Sequence, residues 1–128
     1  MALSDNPVVA VIAVSEMDAA REFYEGKLGF SPGAERPDGG IRYRCGGGTS
    51  IHVYPSPGNA GGSGATQAGF EVDDIERTVD ELIANGVVFE QYDLDSIKTD
   101  AKGIARIGAT ASAWVKDPDG NVVSVNQG

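Results

Sequence analysis

What most constrains the fold of this 128-residue chain is a pattern written twice, fifty-eight positions apart. In the first half an apolar, β-branched run from Val8 to Val14 meets Ser15, whose spacing from Asp18 is that of a helix N-cap with an acid in the first turn. Met17, Ala20, Tyr24 and Leu28 then share one helical face while Glu16, Arg21, Glu22 and Glu25 look away, and Gly29 supplies a stop. In the second half Phe70 and Val72 lead into Asp73-Asp74-Ile75-Glu76, again a cap followed three residues later by an acid. Ile75, Val79, Leu82 and Ile83 form the apolar face and Gly86 follows. The shift lays Val14 on Val72, Glu16 on Asp74, Met17 on Ile75 and Tyr24 on Leu82.

Strand-like segments follow each helix: 30–35, 41–45 and 50–54, then 87–92, 111–116 and 122–126. Each half therefore has the order β-α-β-β-β. The alternative is two unrelated α/β units that share only capping chemistry. Between the halves the Gly/Pro/Ser-rich run 55–64 has the composition of a flexible linker. The length suits one domain, with a first module over about 6–55, a linker over about 56–64 and a second module over about 65–127. Asp117-Pro118-Asp119-Gly120-Asn121 looks like hairpin punctuation. The segment 93–108 is longer and more polar than a hairpin needs, which fits a lid, a binding loop or a merely mobile loop.

Nineteen carboxylates against ten Lys and Arg give a net charge of −9 with no basic stretch longer than Arg42-Tyr43-Arg44, which disfavours nucleic acid and anionic membrane surfaces as partners and leaves open a buried anionic ligand beside Arg42 or Arg44. A single cysteine, Cys45, allows no internal disulfide. Without an adjacent base or helix N-terminus it fits a buried small residue better than a nucleophile. Met1 to Pro7 lacks the features of a signal peptide and no apolar run has membrane-spanning length, so the expectation is a soluble cytoplasmic protein.

The stretch Val14-Ser15-Glu16-Met17 through Arg21-Glu22-Phe23-Tyr24 to Lys27-Leu28-Gly29-Phe30 resembles the opening of the vicinal oxygen chelate superfamily. That family contains glyoxalase I, extradiol dioxygenases, thiol transferases that modify fosfomycin, and bleomycin-resistance proteins. Gly69-Phe70-Glu71-Val72-Asp73-Asp74 and Trp114-Val115-Lys116-Asp117-Pro118-Asp119-Gly120-Asn121 are similar to its second half, so the likeness spans nearly the whole chain. The resemblance implies an α+β fold: two paired βαβββ modules forming a curved, cup-shaped mixed sheet, with helices on the outer face and a ligand in the concavity. It also implies a homodimer.

Metal-dependent members place one inward ligand on each of four strands, and by resemblance these positions fall at Val9, His52, Gln67 and Ser124. Strand alternation is consistent with that register: if Ile12, Val14, Ile51, Val53, Phe70, Val72, Val123 and Val125 face the helices, the four face the cup. Of these only His52 is a strong donor, and Glu71 shares the cup phase. No cofactor is therefore expected, with a divalent metal at a partial site as the lesser alternative. Alternation also turns Tyr54, Trp114 and Asn126 inward, a mixture of aromatic surface and polar groups suited to a small molecule. The same aromatics could simply fill the core. Arg42 and Arg44 share a strand face, and parity alone leaves open whether it is the cup or the outside.

These residues lead to a binding protein of the bleomycin-resistance type, which sequesters a small, partly aromatic antibiotic or metabolite without an intact metal site. His52, Tyr54, Gln67, Trp114, Ser124, Asn126 and Arg44 are its expected ligand contacts. The competing reading is a lyase, isomerase or dioxygenase-type enzyme using a partial metal site or acid–base chemistry at His52 and Glu71.

Overall fold

The computed structural model describes residues 2–128. Strand β1 (Val9–Val14) leads to helix α1 (Met17–Arg21), which widens into a π-helical turn over Glu22–Lys27. Strands β2 (Ala34–Glu35), β3 (Ile41–Arg44) and β4 (Ser50–Pro55) complete the first module. The second runs β5 (Thr66–Glu71), α2 (Ile75–Ala84), β6 (Ala105–Ile107), β7 (Thr110–Lys116) and β8 (Val122–Gln127). The strand orders are β1-β4-β3-β2 and β5-β8-β7-β6, so the modules share one topology. In each, the helix-bearing crossover makes the first and last strands parallel and the other neighbours antiparallel. This is the α+β, paired βαβββ arrangement that the repeat implies. β1 and β5 lie side by side at the junction of an open, curved surface rather than a closed barrel.

Alternation decides which face meets the helices. Ile12, Val14, Ile41, Tyr43, Ile51 and Val53 of the first sheet join Ala113, Val115, Val123 and Val125 of the second in one hydrophobic cluster with Phe23, Tyr24, Ile75 and Val79. Each fully buried aliphatic side chain contributes about 1.5–3 kcal/mol by leaving water, so this shared core is the main force joining the modules. The opposite parity, including Val11, His52, Arg42, Gly69, Ser124 and Trp114, faces away from it.

The turn Asp117-Pro118-Asp119-Gly120-Asn121 does more than reverse the chain. The buried Tyr24 hydroxyl donates to Asp117 Oδ2 at 2.9 Å. Ser15 donates to Asp119 through both its backbone N–H, at 3.0 Å, and its hydroxyl. Asn121 Nδ2 donates to the Ala13 carbonyl at 2.8 Å, and its Oδ1 accepts from Gly61 N at 3.1 Å. The hairpin of one module is thus a polar clamp on the other.

Four expectations need correction. Both helices are capped one residue later than expected: α1 at Glu16, with Ser15 drawn off to Asp119, and α2 at Asp74, whose own carboxylate accepts from Arg77 N. The second strand of module two is β6, not 87–92, since Val87 and Phe89 are used as core residues and only Glu90 N reaches the β7 edge, at Trp114 O. The run 55–64 is no free tether: Ser56 N bonds Val14 O, and a Cβ at Gly61 would lie 1.8 Å from Asp119 O. The segment 93–108 is anchored by Ile104, 1% exposed, and by ion pairs from Lys102 and Arg106 to Glu76. Among the described residues no helix is long and apolar enough to cross a membrane.

Candidate functional site

The sheet face away from the helices carries most of the expected site residues, in two groups that correspond by the internal repeat. In the first module Val11, His52, Arg42 and Ala34 lie opposite one another across β1, β4, β3 and β2. The row Gly69, Ser124 and Trp114 occupies the same places in the second. Histidine in one module is therefore matched by serine in the other, and arginine by tryptophan.

His52 is 8% exposed, and its Nε2 meets Asp38 Oδ2 at 2.6 Å. Asp38 has no place among the sequence-derived site residues. It sits in the turn before β3, where its other oxygen accepts from Gly40 N at 2.8 Å. Gly40 makes the approach possible, because a Cβ there would lie 2.4 Å from Val53 O. The Pro37-Asp38-Gly39-Gly40 run was the available signal: an Asx turn with two glycines can press against a neighbouring strand. The hydrogen bond from His52, followed by that from Gly40, holds the Asp38 carboxyl below its ordinary range. The other ring nitrogen, Nδ1, is buried and has no protein partner; in the tautomer that donates from Nε2 to Asp38 it presents a lone pair. The ring stacks on Tyr54, with centroids 5.9 Å apart and planes at 5°. The neighbouring Arg42 Nε is likewise buried and unpartnered.

The register also settles the arginine face. Arg42 lies opposite His52 and Arg44 opposite Ser50, while Ile41 and Tyr43 enter the core, so both arginines stand on the face away from the helices. They line a cavity of about 520 Å³ with Arg36, Ser31, Gly33 and Ala34.

In the second module the half-buried Trp114 meets Tyr92 edge-on, with centroids 5.6 Å apart. Tyr92 was missed because 87–92 looked like a strand. Asn126 accepts from Ser112 Oγ at 2.9 Å and donates to Ser124 Oγ at 3.0 Å, a chain of groups that fixes the amide's orientation. Gln67 stands apart, for the β5–β8 register shifts between Thr66 and Ala68, and its exposed amide bonds Ala65 O. Glu71 is opposite Asn126 and exposed; among the described residues the carboxylate bonded to His52 is that of Asp38, not Glu71.

The four positions to which the family resemblance assigns metal ligands do not offer a fitting donor set here. Val9 offers only hydrocarbon, Gln67 is bonded locally, Ser124 accepts from Asn126, and His52 Nε2 is held by Asp38. No group of three or more His, Cys, Asp and Glu side chains able to hold a metal occurs among the described residues. Burial pushes the half-buried Cys45 thiol up, away from the reactive thiolate.

A family model, the Glyoxalase/Bleomycin resistance protein/Dioxygenase superfamily, matches residues 7–125. The chain belongs to that superfamily. Three solved structures of similar shape are those of TnmS3, of a separate glyoxalase/bleomycin resistance protein from Streptomyces sp. CB03234, and of a glyoxalase/bleomycin resistance protein from Catenulispora acidiphila DSM 44928. TnmS3, described as an antibiotic binding protein from Streptomyces sp. CB03234, is 25% identical over 99% of this chain and 98% of its own, with a TM-score of 0.69. The second protein from that strain is 24% identical over 95% and 100%, and the Catenulispora acidiphila protein 21% over 95% and 97%, both with TM-scores of 0.69. These last two speak for the superfamily fold alone. No curated protein matches this superfamily member by sequence.

Proposed function

We propose that this protein binds a small, partly aromatic molecule on the concave sheet face and sequesters it unchanged, as an antibiotic or metabolite binder. The observation that carries this reading is the placement of Tyr54, Tyr92 and Trp114. All three are half-buried on or against the face away from the core, whose own aromatic packing comes from Phe23, Tyr24, Tyr43 and Phe89. Aromatic surface left beside fixed hydrogen-bonding groups such as Ser112, Ser124 and Asn126 suits stacking on a planar ligand with polar edges. The likeness to TnmS3 supports the same reading.

The test is titration of planar aromatic antibiotics against Trp114 fluorescence, followed by recovery of the ligand. Saturable quenching with the ligand recovered intact is expected, and Tyr54→Ala should weaken binding about tenfold, the loss of one stacked ring. Unchanged affinity in that variant would count against the stacking role.

The Asp38–His52 pair favours a second reading, an acid–base enzyme in which His52 Nδ1 takes a proton from the substrate and Asp38 holds the ring. The two separate in His52→Ala: an enzyme loses turnover, whereas a binder loses only affinity. The homodimer implied by the family belongs to the same proposal, and sedimentation at micromolar concentration tests it.

A further inference from the structure

Seven ion pairs occur among the described residues, and they occupy Arg21, His52, Arg77, Lys102, Arg106 and Lys116. In a chain of net charge −9, carboxylates outnumber cationic side chains nearly two to one. Yet Arg36, Arg42 and Arg44 have no ion-pair partner among the described residues, and all three line the 520 Å³ cavity on the first module. The two nearest carboxylates in sequence are withheld from it. Glu35 lies opposite Ile41, on the helix-side parity, and pairs with Arg21 of α1 at 3.2 Å. Asp38 is engaged by His52 and Gly40 N.

Arg42 carries the strongest sign. Its Nε is a buried donor without a protein partner. A buried charged donor left unpaired is costly, so a site that keeps one is suited to an acceptor from outside the chain. Arg42 and Arg44 leave one strand face two residues apart, about 6.6 Å along the backbone, and both line the cavity, so two guanidinium groups are available to one oxyanion. Gly33 completes the wall: a Cβ there would lie 2.5 Å from Arg42 O, so β2 can close tightly over β3.

We propose that this cavity is an oxyanion subsite, which takes a carboxylate or phosphate group of the bound molecule on Arg42 and Arg44, with Arg36 at its rim. The subsite rests on the small-molecule reading above and narrows it to anionic ligands. The chemistry is shared by carboxylates and phosphates.

The experiment follows the arginine side-chain Nε–H signals of ¹⁵N-labelled protein by NMR during titration with benzoate, phenyl phosphate, inorganic phosphate and the neutral benzyl alcohol, with Trp114 fluorescence recorded in parallel. Saturable shifts with either class of anion, absent with benzyl alcohol and weakened by added NaCl, are expected; whichever anion binds tighter identifies the group. Arg44→Gln, a change at an exposed position that leaves the core intact, should weaken the anion about tenfold, as should Arg42→Gln. Arg21→Gln, on the other face, should leave it unchanged. Equal binding of benzoate and benzyl alcohol, or anion affinity indifferent to Arg44→Gln, overturns the subsite. Trp114 quenching by neutral aromatics without any anion response also overturns it while leaving the binding reading in place. Anion binding at the arginines with no aromatic response at Trp114 upholds the subsite and rejects that reading.

Discussion

A methyl group at position 40 would sit 2.4 Å from Val53 O and 2.9 Å from the Cα of Tyr54, so the absence of a side chain there is what lets Asp38 reach His52. Gly40→Ala should destabilise the fold by about 1–3 kcal/mol, read from a urea midpoint, because the turn must lift off β4. The Asp38 carboxyl offers a finer measurement. Its pKa is depressed in the fold, so the stabilisation it supplies is fully present above the unfolded value of about 3.9 and disappears as pH falls through the folded value. Carbon-detected NMR titration should place its midpoint below that of an ordinary aspartate, and His52→Ala should return it upward. A midpoint unmoved by His52→Ala would mean that the hydrogen bond does not set it.

At the scale of elements, the β7–β8 hairpin and the π-helical end of α1 act as one joint. In the widened turn Leu28 N bonds Phe23 O, and both Phe23 and Tyr24 enter the core, which delivers the Tyr24 hydroxyl to Asp117. Burial, and then the Asp117 carboxylate, push the Tyr24 phenol above its ordinary range. A raised folded pKa means that the bond's stabilisation is whole below about pH 10 and lost only as pH rises through the folded value. Tyr24→Phe should cost about 1–2 kcal/mol at neutral pH. Asn121→Ala, which strands Ala13 O and Gly61 N together, should cost about 2–4 kcal/mol; an effect under 0.5 kcal/mol in chemical denaturation would show that the clamp carries no stability.

Across the whole molecule, one core spans both sheets, so the modules should unfold together. Trp114 fluorescence reports the second module, while far-ultraviolet circular dichroism reports both. Their urea transitions should coincide, and separate midpoints would show that the modules are independent folding units. The anchoring of 93–108 onto α2 through Lys102 and Arg106 belongs to this unity. The pKa of Lys102 is raised by Asp80 and Glu76, a sign of the charged pairing that ties the loop down.

The sequence alone determined the repeat, the βαβββ order and the inward parity of His52, Ser124 and Trp114, because hydrophobic periodicity and capping act within a few residues and leave a local signature. It misplaced the cap of α1 and the strand of module two, since Ser15 and Glu90 bond partners that come from distant chain. It could not choose the face of Arg42 and Arg44, as Tyr43 and Cys45 suit either environment. Only the tertiary structure brought Asp38 to His52, Tyr92 to Trp114 and the hairpin to Tyr24. Those contacts join residues 14, 22 and 93 positions apart, distances over which backbone propensity carries no information and packing decides.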